Sequence, residues 1–197
     1  MHDSDDPITT AVLSGSTYER LRVTEGSLFT IRPRKAMAIQ ALLLSALALV
    51  APLYLLFPDS VAPLIPTTDP VTATPKLLVL GLFGWGLEVM AAVMMVGLYR
   101  YRTTRQPLSE SQARTIFDVE RISAGLSIVT GGLAIAFTVG IVALGVGGES
   151  TLGVYLESVA GGNIFEQLSV AFSVAHLSVV SAIGAVVVVA LRWVVAE

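Results

Sequence analysis

Cysteine is absent from the chain, which excludes disulfides, thiolate metal sites and cysteine nucleophiles together. Histidine is nearly absent. His2 and His176 are the only two, too few for a histidine-rich metal centre or a bis-histidine haem within one chain. Lysine is scarce too, with Lys35 and Lys76 alone, so the cationic chemistry is that of arginine. Charge of either sign is thin: 14% of the 197 residues are charged, against about 25% in soluble domains. The net charge of -3 carries no dense basic stripe, which argues against nucleic acid as a partner. No metal or other cofactor is expected.

The composition is dominated instead by apolar residues, 54% of the chain, and the mean hydropathy of +0.76 points to a membrane class. Four apolar runs, 36–57, 77–99, 122–146 and 168–195, reach the length of about 20 residues that a bilayer-spanning helix needs. The first begins behind a mixed, charged segment and has no small-residue cleavage site after it, so it reads as a span and not as a signal peptide. The expected fold is an all-α integral membrane protein, a helical bundle of four transmembrane helices.

Basic residues orient it. Arg20, Arg22, Arg32, Arg34 and Lys35 precede the first span. Arg100, Arg102, Arg105, Arg114 and Arg121 separate the second from the third, and Arg192 ends the fourth. Only Lys76 falls on the opposite side. The positive-inside rule then puts both termini in the cytoplasm of a multi-pass cell-membrane protein. The lipid bilayer is one partner, with headgroup or protein contacts expected at Arg32, Arg34, Lys35, Arg100, Arg102 and Arg105.

The connecting segments have their own signals. The tail, 1–35, opens HDSDDP, and its alternating stretch RLRVTEGSLFTIRPRK allows a short strand pair around Glu25 and Gly26. The first outer loop, 58–76, has five prolines and is expected to be extended and polyproline-like. The cytoplasmic linker, 100–121, contains Ser109 and Gln112 at capping-box spacing. A helix from about Glu110 should therefore continue into the third span, with Ala113, Ile116, Phe117 and Ile122 near one face. The second outer loop, 147–167, holds TLGVYLESVAGG, one or two helical turns with Val154, Tyr155 and Val159 at the interface and Gly161 and Gly162 as their end. Asn163 with Glu166 three residues on predicts that the fourth helix starts near Ile164.

Within GLFGWGLEVMAAVMMVGLYR, residues 81–100, one carboxylic acid interrupts an apolar span: Glu88. On a helix its face carries Gly81, Gly84, Trp85, Ala91, Ala92 and Met95, mostly small residues of the kind that mark close helix–helix approach. Span three supplies a matching stripe of Ser127, Thr130, Gly131, Ala134 and Thr138. Glu88 should thus point into protein and not into lipid, where a charge is costly. In span four His176 shares a face with Ser169, Ser173 and Val180. Counted from Leu77 and Leu168, the depths of Glu88 and His176 differ by roughly 5 Å, so the two could form a buried polar pair or proton relay. The alternatives are a neutral Glu88 bonded to a neighbouring hydroxyl and a neutral core His176.

Other motifs carry less. Gly81, Gly84 and Gly86 spell G-x-x-G-x-G inside an apolar span, which is packing and not a phosphate loop. GVGGES lacks the lysine of a P-loop, no H-E-x-x-H occurs, and Ser173 with His176 lacks a nucleophile elbow. No catalytic residue is assigned. The chain is expected to be a non-enzymatic scaffold or accessory subunit, packing as a homo-oligomer or in a larger membrane complex. The alternative is a small proton-coupled transporter using Glu88 and His176.

Overall fold

A computed structural model describes residues 31–105, 107–158 and 162–195. The proposed strand pair around Glu25 lies outside these, as do Val159 and Gly161. The described residues are all-helical, with no strand, and four of the helical stretches are long and apolar enough to cross a membrane. These are Pro33–Leu55, Leu77–Thr104, Glu110–Val146 and Val174–Val194.

The first stretch is two helices, α1 (Pro33–Ala48) and α2 (Val50–Leu55), with a break at Leu49. Pro52 explains the break. It has no N–H for the carbonyl four residues back, and its ring crowds that carbonyl. The Ala51 N–H, one residue before it, donates instead to Ser178 Oγ at 2.8 Å, on a different helix. Helix α3 (Leu77–Thr104) is unbroken.

The third stretch is helix α4 (Glu110–Leu126), a π-helical segment (Ser127–Gly131) and helix α5 (Gly132–Val146). Its start is the capping box expected at Ser109: Ser109 Oγ accepts from the Gln112 N–H at 3.3 Å, and Gln112 Oε1 accepts from the Ser109 N–H at 3.1 Å. Ala113, Ile116 and Phe117 are buried, but Ile122 is 67% exposed. It lies six residues beyond Ile116, on the far side of a 3.6-residue helix.

The last span is α7 (Val174–Val194), which begins ten residues later than Asn163 and Glu166 suggested. Asn163 builds a turn instead. Its Oδ1 accepts from the Phe165 N–H at 2.9 Å, and its Nδ2 donates to Leu64 O at 2.8 Å. Residues before the helix are tied to the first connection: Leu168 N–H to Thr74 O at 2.8 Å, Lys76 N–H to Glu166 O at 2.9 Å, and a single bridge between Pro75 and Gln167. A local capping motif loses here to long-range backbone pairing.

The two connections at this end close the bundle. The proline-rich segment is wound into turns, with a short 3-10 stretch at Asp59–Val61, where an extended form was expected. Val61, Ile65 and Ala73 are buried in the same core as Tyr54, Phe165 and Leu177. Helix α6 (Glu149–Ser158) is longer than two turns and buries Leu152, while Val154 is exposed. Tyr54 stacks on Phe57 with ring centres 4.7 Å apart, and Phe165 meets both rings.

Inside the bundle α1 runs antiparallel to α7 and packs on it more extensively than any other pair of described elements. Leu42, Phe83, Val93, Val129, Phe137, Ile183 and Val186 project outward, all more than half exposed. An apolar belt of that extent suits lipid and not water.

Candidate functional site

Helix α3 turns Leu77, Leu78, Gly81, Gly84, Glu88, Ala91, Ala92 and Met95 inward. The small residues have definite neighbours. A Cβ on Gly84 would lie 2.8 Å from Ile135 Cγ1 and 3.1 Å from Gly131 O. One on Gly81 would lie 2.8 Å from Leu177 Cδ2 and 3.2 Å from Thr138 Cγ2. Trp85 is half-buried and donates from Nε1 to Val180 O at 3.3 Å.

Glu88 is fully buried one turn below this contact. A Cβ on Gly131 would stand 2.8 Å from Glu88 Oε1, so the carboxyl occupies the space left by the glycine. Gly131 closes the π-helical segment, and Ser127 opens it. A π segment widens one turn by a residue and often marks functional positions. Here it faces Glu88, the one acid of α3. Ser127 is buried, its Oγ accepts from Gln40 Nε2 at 3.0 Å, and Gln40 itself is fully buried on α1. Three elements thus bring Gln40, Glu88 and Ser127 into one polar cluster.

The cluster is incompletely satisfied. Gln40 Oε1 and both Glu88 carboxyl oxygens are buried without a hydrogen-bond partner among the described residues. The Ser127 hydroxyl is the polar group beside the carboxyl, at a geometry short of a hydrogen bond. Unsatisfied buried polar atoms cost roughly 1–3 kcal/mol each, more for a charge. The cluster is not wholly remote from the surface. A groove of about 220 Å³ between α3 and α4, lined by Leu87, Met90, Ala91 and Met94 on one wall, has Ser123 and Ser127 on the other.

His176 is elsewhere. It is exposed in the first turn of α7, where its Nδ1 accepts from the Ser173 N–H at 3.2 Å and lies 2.8 Å from Ser173 Oγ. With Ser173 it forms a capping box, and its ring lies 5.7 Å from that of Phe172. Gly81 faces Leu177, which puts His176 near the level of Leu80. Eight residues, roughly 12 Å of helix rise, then separate it from Glu88. The late start of α7 causes this separation, because the depth of His176 had been counted from Leu168. Ser169 precedes the helix and is exposed.

Of the span-three stripe, Ser127, Gly131, Ala134 and Thr138 are buried, while Thr130 is half-buried. Gln40 was missed at the sequence level. Its signal was a lone amide in the first span, AMAIQALLLS.

The arginines group unevenly. Arg32, Arg34 and Lys35 share a cleft with Arg192. Arg100 is exposed near the end of α3. Arg102 lies over the Tyr99 ring at 5.6 Å, and Arg105 over Tyr101 at 5.3 Å. Comparison of the chain with protein-family models, with curated proteins and with solved structures finds no match.

Proposed function

We propose that this chain is a multi-pass cell-membrane protein with both termini cytoplasmic. In this role it is a non-enzymatic scaffold or accessory subunit that assembles with copies of itself or with larger membrane partners. The side chains that would suggest chemistry are occupied structurally. Ser173 and His176 cap α7, and the small-residue face of α3 is spent within the chain against Ile135, Gly131 and Leu177. The second fact carries the proposal and redirects it. Because the glycine seam closes the bundle internally, partners meet the outward apolar belt and the charged ends of the helices.

Purification in mild detergent with crosslinking tests this. The expected result is a stable assembly, either homo-oligomeric or with co-eluting membrane subunits. A monodisperse single chain that crosslinks to nothing in native membranes would overturn it. Terminal tags should be reached only from the cytoplasmic side, and cysteines placed at 60–74 or in α6 should label from outside.

A second role, proton exchange at Glu88, is favoured by one observation: a fully buried carboxyl whose two oxygens have no hydrogen-bond partner among the described residues, set against a π segment. A membrane acid of this kind is a functional candidate by default. Carbodiimide modifies protonated membrane carboxyls, so labelling of Glu88 should rise as pH falls. Glu88→Gln should abolish both labelling and any pH-driven flux in proteoliposomes while preserving the fold. No labelling at any pH, with no flux in the wild type, would leave Glu88 a packing residue.

A further inference from the structure

We propose that the cleft where α1 begins and α7 ends binds the phosphate of an anionic membrane lipid. The cleft, about 380 Å³, is lined by Arg32, Arg34, Lys35, Ala38 and Arg192. Four cations from two helices converge there, and no carboxylate is among the described residues that line it. Two features of the local sequence concentrate positive charge here. Arg32 is the N-cap of α1, and Arg34 and Lys35 follow in its first turn, which holds no acid. The positive pole of the helix dipole is therefore loaded with three more positive charges. Opposite them, Arg192 Nε is buried and has no hydrogen-bond partner among the described residues.

Chemistry and position select the ligand. Guanidinium forks match phosphate oxygens two at a time, and a lysine adds a point charge. The cleft lies at the boundary of the apolar belt. Ala36 and Met37 are buried directly above it. The Arg34 guanidinium sits 5.4 Å from the centre of the Trp193 ring, a side chain 72% exposed. An exposed tryptophan at a span end belongs at headgroup depth. Basic pockets between helix ends at that depth recognise phosphate-bearing lipids, with the acyl chains running along the outward faces of α1 and α7. The site needs a bilayer surface, so it rests on the membrane placement proposed above. It is independent of whether the protein is a scaffold or moves protons.

The test uses the full chain in nanodiscs of phosphatidylcholine doped with phosphatidylglycerol, read by the lipids retained in native mass spectrometry. The wild type should retain the anionic lipid preferentially. Arg34→Gln with Arg192→Gln should reduce that preference about tenfold or more, from roughly 1 kcal/mol per cation near the surface. Arg114→Gln with Arg121→Gln removes the same charge outside the cleft and should change the preference less than about threefold. Arg34→Lys with Arg192→Lys keeps the charge, guards against misfolding, and should recover most of the binding. Equal losses in the two glutamine pairs would reduce the cleft to diffuse surface attraction and overturn the site. Displacement of the lipid by millimolar inorganic phosphate would assign the same cations to a soluble phosphate. Failure of wild-type chain to enter nanodiscs at all would instead overturn the membrane placement.

Discussion

Two seams hold the bundle together, and they differ in the size of the side chains they use. Between α3 and the π segment the chain uses almost no side chain at all: Gly84 meets Gly131, and the freed space admits one carboxyl. Between α1 and α7 larger side chains take part, with Leu44 and Leu47 fully buried on α1, Leu44 seated over Gly184, and Leu177 and Val188 buried on α7 beside Ser178, Ser181 and Ala185. The first seam depends above all on nothing being added, and the second depends also on the bulk of its leucines. The first seats a carboxyl, and Gln40 reaches Ser127 beside it. The lesson is that the glycine seam is a means of seating Glu88 as well as a means of joining helices.

The largest effect should come from filling the first seam. Gly84→Leu drives a side chain into Ile135 and the Gly131 carbonyl, and backbone cannot yield as a rotamer can. A loss of about 3 kcal/mol or more is expected, read as a collapse of the melting temperature in detergent. The same substitution two residues on, Gly86→Leu, meets no atom within 4 Å of the new Cβ and should melt near the wild type. Equal melting of the two variants would remove the seam from α3.

Emptying the second seam should rank next. Leu47→Ala should cost about 2–5 kcal/mol through lost burial and a cavity, and unfolding rates would show it. A smaller effect is expected of Ser178→Ala, which orphans the Ala51 N–H beside Pro52 and should cost about 1–3 kcal/mol. If it costs nothing, the break at Leu49 is relieved by some other group.

Least disruptive to the fold should be His176→Ala. Loss of a helix cap costs about 1 kcal/mol, and the substitution should leave the pH dependence of Glu88 carbodiimide labelling untouched. A shifted labelling profile would restore a coupling between the two residues that their separation argues against.

Local pattern decided a definite share of this protein. Runs of apolar residues of the right length are enough to set four helices long and apolar enough to cross a membrane, because every backbone group in an apolar medium must be satisfied within its own helix. The three- and four-residue spacing of Gly81, Gly84, Glu88, Ala91 and Ala92 was enough to define the inward face of α3, since helical periodicity is a property of the chain alone. Ser109 and Gln112 were enough to start α4, because both halves of that cap lie within one turn. Tertiary structure decided what depends on residues far apart. Asn163 and Glu166 match a helix start as well as Ser173 and His176 do. The choice between them fell to Thr74, Lys76 and Leu64, about a hundred positions away. That choice moved the start of α7 and took His176 out of reach of Glu88. The turns of the proline-rich connection were set by the core they cover, and proline excludes a helix without selecting what replaces it. The neighbours of Glu88 were likewise decided in three dimensions. Gln40 and Ser127 come from two other elements, and no spacing within α3 names them.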